Sequence, residues 1–364
     1  MRWSPQQENA LGAVRSWLTA GDRPVFRLFG YAGTGKTTLA RHIAEGADGS
    51  VVYAAFTGKA AHVMRGKGCA EAGTIHSLIY RMRGEDETGP SFVLNRESAA
   101  AKAAMIVIDE CSMVDEEIGK DLLSFRRPVL VLGDPAQLPP VSGGGFFTSG
   151  EPDVMLTEVH RQAADDPIIR LSMAVRDGGT LALGQYGESS VVSRRDIAPD
   201  AVLGADTVLV GRNNTRRAYN GRIRELLGRP APTPVAGDTL VCLRNDRKRG
   251  LLNGSLWHVD RVRQPRKGLL RYTLSPEEGE HGKGRTVVTI NPAYFDGTAE
   301  ALTPAERRRS DAFDFGYVLT VHKSQGSQWD DVVLFDESFA FREHAWRWLY
   351  TGITRAAKRI RIVR

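Results

Sequence analysis

Residues Gly30-Tyr31-Ala32-Gly33-Thr34-Gly35-Lys36-Thr37-Thr38 carry glycines, a lysine and hydroxyls at the spacing of a phosphate-binding loop, G-x-x-x-x-G-K-T. Gly30, Gly33 and Gly35 let successive backbone N–H groups turn toward one point, where phosphate oxygens can be held. A helix expected to open at Thr37 adds the positive end of its dipole there. Lys36 can reach the β- and γ-phosphates of a nucleotide and the Thr37 hydroxyl can take a place on Mg²⁺, with Thr34 and Thr38 flanking them. A second group follows an apolar run: Met105-Ile106-Val107-Ile108 ends in Asp109-Glu110. Carboxylates directly after a buried strand lie at the carboxyl edge of a parallel sheet, where α/β folds bind ligands. Beside a phosphate loop, Asp109 would hold Mg²⁺ and Glu110 would orient an attacking water. A third group follows Val129-Leu130-Val131-Leu132, in the loop Gly133 to Val141. There Gln137 is the one uncharged side chain that can both donate and accept, as a reporter of the γ-phosphate must.

Positioning these groups takes alternating strands and helices. Ser4 reads as the N-cap of a helix from Pro5 to about Leu18, and Val25 to Phe29 reads as the strand feeding the phosphate loop. The strand Val51 to Phe56 ends in Thr57-Gly58-Lys59-Ala60-Ala61, which suits a phosphate contact and a plain helix start equally. Arg83 to Pro90 is polar and is followed by the β-like run Ser91 to Leu94, together a small excursion or hairpin. A second α/β half is expected from near Met155, with a helical stretch opening at His160-Arg161-Gln162, a strand at Thr207 to Val210 and a basic helix from Asn214 to Leu227. From Gly237 to about Arg309 the pattern becomes β-rich, with Asn253-Gly254 as a turn. Arg247-Lys248-Arg249, Arg261-Val262-Arg263 and Arg307-Arg308-Arg309 stud it, each compatible with a solvated face or a polyanion contact. The α/β pattern returns at Tyr317 to Val321 and Val332 to Phe335, then a helix around Trp346 to Leu349 and a last strand from Ile360 to Val363.

The composition narrows the class. A chain of 364 residues with 41% hydrophobic and 25% charged residues is that of a globular protein with two or three domains. No apolar run approaches a membrane span and the N-terminus does not read as a signal peptide, so no membrane partner is expected. Cys69, Cys111 and Cys242 are far apart and odd in number, which suits a reducing cytoplasm. The net charge of +6 is compatible with a polyanionic partner. A kinase or GTPase would leave the second half unexplained, and a nuclease would need a second carboxylate cluster.

Taken in order, these segments resemble the motifs of superfamily 1B helicases, the RecD-like and Dda-like branch, over nearly the whole chain. Ser4-Pro5-Gln6-Gln7 is similar to the adenine-recognition segment, Gly30–Thr37 to motif I, Ala55–Ala61 to motif Ia, and Thr74-Ile75-His76 to motif Ib. Asp109-Glu110-Cys111-Ser112-Met113 resembles motif II, Gly133–Val141 motif III and Leu156–Gln162 motif IV. Thr320–Gly326 resembles motif V and Tyr350–Ala356 motif VI. Motif Ia departs from the family at Phe56, where a proline or small residue is expected.

The resemblance implies an α/β fold: two RecA-like P-loop domains in tandem, with a short 1B hairpin insertion and a β-rich SH3-like 2B insertion. The expected segments are 1–80 plus 98–155 for domain 1A, 81–97 for 1B, 156–236 plus 313–364 for 2A, and 237–312 for 2B. No accessory or nuclease domain is expected. ATP with Mg²⁺ would lie between the two RecA-like domains, with Gln7 on the adenine, Gly326 lining the site, and Arg161 and Arg355 reaching the γ-phosphate as arginine fingers. Thr57, Lys59, His76, Thr320, His322 and Ser324 would grip a DNA backbone, and Phe92 would be the wedge of a strand-separating pin. The implied activity is ATP-driven 5′-to-3′ movement on single-stranded DNA with separation of duplex forks, by a monomer serving replication or recombination proteins. RNA as the track, or an ATP-gated single-strand clamp with little unwinding, are the alternatives.

Overall fold

The computed structural model describes residues 3–86, 89–139, 145–158, 165–246, 249–277 and 284–364. The helix Pro5–Ala20 starts at a reciprocal capping box: Gln7 N donates to Ser4 Oγ at 3.4 Å and Ser4 N donates to Gln7 Oε1 at 3.1 Å. It ends at Gly21, whose φ of 59° lies in the left-handed region.

The first sheet has six parallel strands in the order Gly73–Thr74, Val51–Ala55, Met105–Asp109, Val129–Gly133, Val25–Gly30, Val154–Leu156. Its central strands are apolar throughout because both faces are covered: Ile106, Val107, Ile108 and Val129 to Leu132 are all fully buried. One face packs against Val14, Trp17, Leu39 and Met64, the other against Ile75, Ile79, Val114 and Leu122. Val154–Leu156 pairs with the phosphate-loop strand, so Leu156, expected to open the second half, is the last residue of the first sheet.

The second sheet runs Val318–Thr320, Thr207–Val210, Trp329–Phe335, Ala356–Val363, Ser189–Val192, Gly184–Tyr186; five strands are parallel and the last is an antiparallel edge. The helix expected at His160 lies in residues 159–164, outside the described residues; the next helix is Pro167–Arg176. The edge pair Gly184–Tyr186 and Ser189–Val192 carries no strong period-2 signal and is legible only from its pairing.

Between the helix Asn213–Leu226 and the strand Val318–Thr320 sits a five-stranded antiparallel sheet, ordered Thr286–Ile290, Leu269–Pro276, Leu256–Arg266, Thr239–Cys242, Phe313–Phe315. It has its own core, including Trp257, Tyr272, Val288 and Phe313. The domain bounds implied by the resemblance put Phe313–Phe315 in the second α/β half; it belongs to this sheet because it completes the far edge beside Thr239–Cys242. Where the chain enters and leaves the insert, Asp238 is wholly buried and accepts from Arg224 (Nη2 at 3.0 Å), Tyr317 OH (2.8 Å) and Val235 N (2.8 Å). The excursion after residue 80 is a two-stranded antiparallel hairpin, Tyr80–Asp86 with Gly89–Leu94.

Candidate active site

The three chemical groups of the first half come together because their strands are neighbours. Gly30, Asp109 and Gly133 end three adjacent parallel strands of the sheet, so their loops open at the same edge. Gly35, with φ of 79°, caps the helix Lys36–Glu45, and Gly30 has no room for a side chain, since a Cβ there would lie 2.8 Å from Leu156 Cβ. Lys36 Nζ donates to the carbonyls of Gly30 and Tyr31 at 2.6 and 2.8 Å. Thr37 Oγ1 donates to Asp109 Oδ2 at 2.8 Å, and Glu110 N donates to Asp109 Oδ1 at the same distance. A hydroxyl and a carboxylate held together beside a phosphate loop suit a small hard cation with oxygen ligands.

The second half closes over this edge. Gly326, Ser327, Gln328, Thr354 and Arg355 face Lys36, Thr37, Asp109, Glu110 and Gln137 across a cleft of about 330 Å³. Arg355 is buried, its guanidinium donating to Thr351 O (3.0 Å), Ser327 O (3.2 Å) and Thr354 Oγ1 (3.1 Å). Burial pushes the Glu110 carboxyl above its ordinary pKa against the opposing field of Arg355, and nearby Asp109 pushes it the same way. Glu110 is held at φ of 53°, an uncommon conformation for a side-chain-bearing residue and one that cleft residues often adopt. Gln137 is nearly buried and its Oε1 accepts no hydrogen bond from the described residues, an orphan in a polar cleft that a ligand or water donor would satisfy.

Contacts between the halves run through residues to which sequence reasoning gave no role. Tyr350 OH donates to Asp134 Oδ2 at 2.7 Å and accepts from Ala32 N at 3.1 Å, tying the second half to two loops of the first. Leu138 is held from both sides: its N donates to Thr351 Oγ1 at 2.9 Å and its carbonyl accepts from Gln325 Nε2 at 3.0 Å. Ala136 and Leu138 pack into the core of the second sheet beside Val321 and Trp348. The guanidinium of Arg176 lies 4.0 Å over the Tyr31 ring. All of these except Arg176 lie inside or beside the quoted motifs, so the motifs themselves were the available signal; the pairings across the cleft were not.

The remaining expected residues are distributed as follows. Gln7 is nearly buried and does not line the cleft; its Nε2 donates to Thr34 O at 3.1 Å, bracing the phosphate loop from behind. Gly326 has φ of 74°, and a Cβ on it would lie 2.6 Å from Thr57 Oγ1. Thr57 caps the helix Gly58–Gly66 through Ala60 N, and Lys59 lies 4.4 Å over the Trp329 ring, so motif Ia packs against motif V. His76 is exposed with its ring 6.3 Å from that of Phe92, which is 51% exposed on the hairpin. His322 packs on Phe341, and burial lowers its pKa, helped by His344. Thr320 is nearly buried, its hydroxyl accepting from Lys323 N at 3.4 Å. Ser324 corrects the expectation of a DNA contact: it is wholly buried and its hydroxyl donates to Val321 O at 2.8 Å, so it shapes the turn and offers no outward face. Arg161 lies outside the described residues.

With this geometry in hand, comparison with known proteins is specific. Residues 3–196 match a family described as an AAA domain and residues 315–363 match the UvrD-like helicase C-terminal domain. The ATP-dependent RecD2 DNA helicase of Deinococcus radiodurans is 30% identical over 93% of this chain and 47% of its own length. The chain belongs to the superfamily 1B helicases. The ATP-dependent DNA helicase dda of phage T4 is 35% identical over 47% of this chain and 42% of its own length. This chain thus spans less than half of each of those two relatives. Among solved structures, a Pif1 helicase studied at forked double-stranded DNA superposes with a TM-score of 0.62 at 17% identity, covering 99% of this chain and 92% of that one. Bacteroides Pif1 in complex with ADP-AlF3 and single-stranded DNA does so with a TM-score of 0.57 at 16% identity and the same coverage. The two parallel sheets are accordingly two RecA-like domains. No helix among the described residues is long and apolar enough to cross a membrane.

Proposed function

We propose that this helicase hydrolyses ATP in the cleft between its two RecA-like domains and uses the cycle to move 5′ to 3′ on single-stranded DNA and open the duplex ahead. The observation that carries the reading is the cleft itself, where Lys36, Thr37, Asp109, Glu110 and Gln137 from one domain meet Arg355 from the other. Thr37 and Asp109 would hold a magnesium ion, which supplies charge neutralisation on the phosphates. Lys36 leaves its two loop carbonyls for the β- and γ-phosphate oxygens, Glu110 orients the attacking water and takes up its proton, and Gln137 senses the γ-phosphate with its amide. Arg355, and Arg161 from the preceding motif, neutralise charge that develops on the transferred group, a role worth about 10³–10⁵ in rate in related phosphoryl transfer. Gln7 would contact the adenine on a turn of its amide away from Thr34.

Because Arg355 and Glu110 stand on different domains, hydrolysis requires the closed arrangement, and release of phosphate removes the reason to stay closed. Alternate closing and opening is a hinge motion that can ratchet one domain along a strand. Thr57, Lys59, His76, Thr320 and His322 are assigned to the backbone of that strand, which such contacts track without reading bases. The five-stranded insert takes the role of an SH3-like 2B domain, the hairpin that of a 1B pin with Phe92 as its wedge, and the working form is a monomer serving replication or recombination. The relatives named as DNA helicases support DNA as the track, and the 5′-to-3′ direction rests on their branch.

Strand separation measured on duplexes carrying either a 5′ or a 3′ single-stranded tail tests this reading. Unwinding from the 5′ tail alone is expected, with Phe92→Ala reducing unwinding more than DNA-stimulated hydrolysis. Unwinding from the 3′ tail alone overturns the polarity. DNA-stimulated hydrolysis with no unwinding of either substrate leaves an ATP-gated clamp or translocase, and stimulation by RNA alone changes the track.

A further inference from the structure

The cationic residues of the five-stranded insert fall into two groups. Three of the arginines are engaged within the fold: Arg249 pairs with Asp246 and Asp311, Arg285 pairs with Asp260, and Arg244 donates to the carbonyls of Arg307 and Ser310. Arg266, Lys267, Arg271 and Arg309 are different. No carboxylate among the described residues pairs with any of them, and all four line one cleft of about 700 Å³. Three come from the hairpin that joins Leu256–Arg266 to Leu269–Pro276; Arg309 comes from beyond the helix Pro304–Arg308 at the other end of the insert. Among the described residues Glu306 is the one carboxylate lining this cleft, and its Oε2 already accepts from Thr303 N and Thr303 Oγ1 at 2.8 and 2.7 Å.

The hairpin projects from the body of the insert. Residues 260–268 are all exposed, and the turn is made at Lys267 and Gly268 with φ of 52° and 75°. Arg263 stands directly opposite Arg271 in the strand register. Like charges directly opposed on a sheet are destabilising, so the arrangement favours an anion supplied from outside the chain. No aromatic side chain among the described residues lines the cleft, which argues against a platform for unstacked bases, since single-strand grooves combine cations with aromatic faces. Cations converging without aromatics suit phosphates presented at a fixed spacing by a duplex backbone. The base of the insert meets the motor at motif Ia, where a Cβ on Gly58 would lie 3.1 Å from the Leu252 side chain.

We propose that the cleft formed by Arg266, Lys267, Arg271 and Arg309, with its projecting hairpin, docks the phosphodiester backbone of double-stranded nucleic acid. The inference rests on the reading of this chain as a nucleic-acid motor and adds a second contact, separate from the single-strand track. The test is binding of a labelled blunt DNA duplex by the full chain across a series of salt concentrations, beside hydrolysis stimulated by a short single strand. Replacing all four cations by alanine is expected to make the plot of log affinity against log salt shallower by about 3 to 4, at about 0.9 per phosphate contact. Single-strand-stimulated hydrolysis should stay within about twofold, because none of the four touches the nucleotide cleft or the assigned single-strand contacts. Keeping the charge, with Arg266→Lys, Arg271→Lys and Arg309→Lys together, should preserve the slope. The lone reversal Arg309→Glu, at an exposed position, should make it shallower by about 1 or more. An unchanged duplex slope in the alanine and Arg309→Glu variants overturns the proposal, and so does an equal loss for single strands, which would make the cleft part of the strand track. Absence of single-strand-stimulated hydrolysis in the parent protein would instead remove the motor reading, with the duplex slope still readable by itself.

Discussion

Arg355 and Lys36 carry the sharpest tests of the proposed chemistry, because each role rests on a single side chain. Lys36→Ala removes the only lysine of the phosphate loop and should abolish hydrolysis; near-normal turnover would sink the assignment of the cleft. Arg355→Ala should lower turnover by about 10³–10⁵ with nucleotide affinity largely kept, read as kcat against binding of a fluorescent ATP analogue. The geometry adds a condition. The Arg355 guanidinium satisfies Thr351 O, Ser327 O and Thr354 Oγ1, so its loss also strands buried acceptors. Arg355→Lys therefore belongs beside it: a lysine fills part of that space but cannot present the planar fork, and turnover should remain low while the melting temperature recovers. Loss of nucleotide binding in both variants would assign Arg355 a purely structural role.

At the scale of elements, the decisive contact is between the helix Gly58–Gly66 and the turn ending at Gly326. Only a residue without a side chain allows that approach, and its φ of 74° is one that glycine adopts without strain. Gly326→Ala should hold the two domains apart by several tenths of an ångström or more, and stimulated turnover should fall by more than about tenfold, the effect of roughly 1.4 kcal/mol on the closed state. Turnover equal to the parent's would mean that this approach is not needed for hydrolysis. The strand Leu256–Arg266 carries a second element-scale consequence in His258. Burial holds its imidazole below the ordinary value of 6.5, against the opposing pull of Asp260. The unfolded chain therefore takes up that proton more readily than the folded one. The stability contributed by keeping His258 neutral is complete above pH 6.5 and is lost as pH falls through the folded value. Denaturant melts at falling pH should show this decline, and His258→Gln should flatten it; identical pH profiles would exclude His258 as the source.

For the whole molecule, the question is how the parts move together. Leu138 is clasped by Thr351 and Gln325, and Tyr350 bridges Asp134 and Ala32, so loops at the cleft edge of one domain are bonded directly to the other. The insert is tied to its domain by the buried Arg224–Asp238 pair with Tyr317. Removing one partner of such a pair leaves an uncompensated buried charge. Asp238→Ala should therefore cost about 3–5 kcal/mol and open the stalk of the insert to protease before the rest of the chain. Cleavage spread evenly over the chain, or a melting curve like the parent's, would show that the pair does not anchor the insert.

The sequence by itself determined the P-loop, the Asp109-Glu110 pair, the Gln137 loop and most of the central strands, because each is a local pattern. A continuous apolar run ended by a chemical group is readable wherever a strand is buried on both faces. The hairpin and the β-rich insert were legible for the same reason, through turn residues and short β-like runs. What only the tertiary structure decided were relations between distant segments. Among these are the pairing of Val154–Leu156 with the first sheet and of Phe313–Phe315 with the insert. The inward turn of Ser324, the seating of Gln7 beneath the loop and the bridge from Tyr350 to Asp134 are others. Strand order, side-chain direction and the closeness of two domains are set by which surfaces bury each other, and no local spacing encodes that choice.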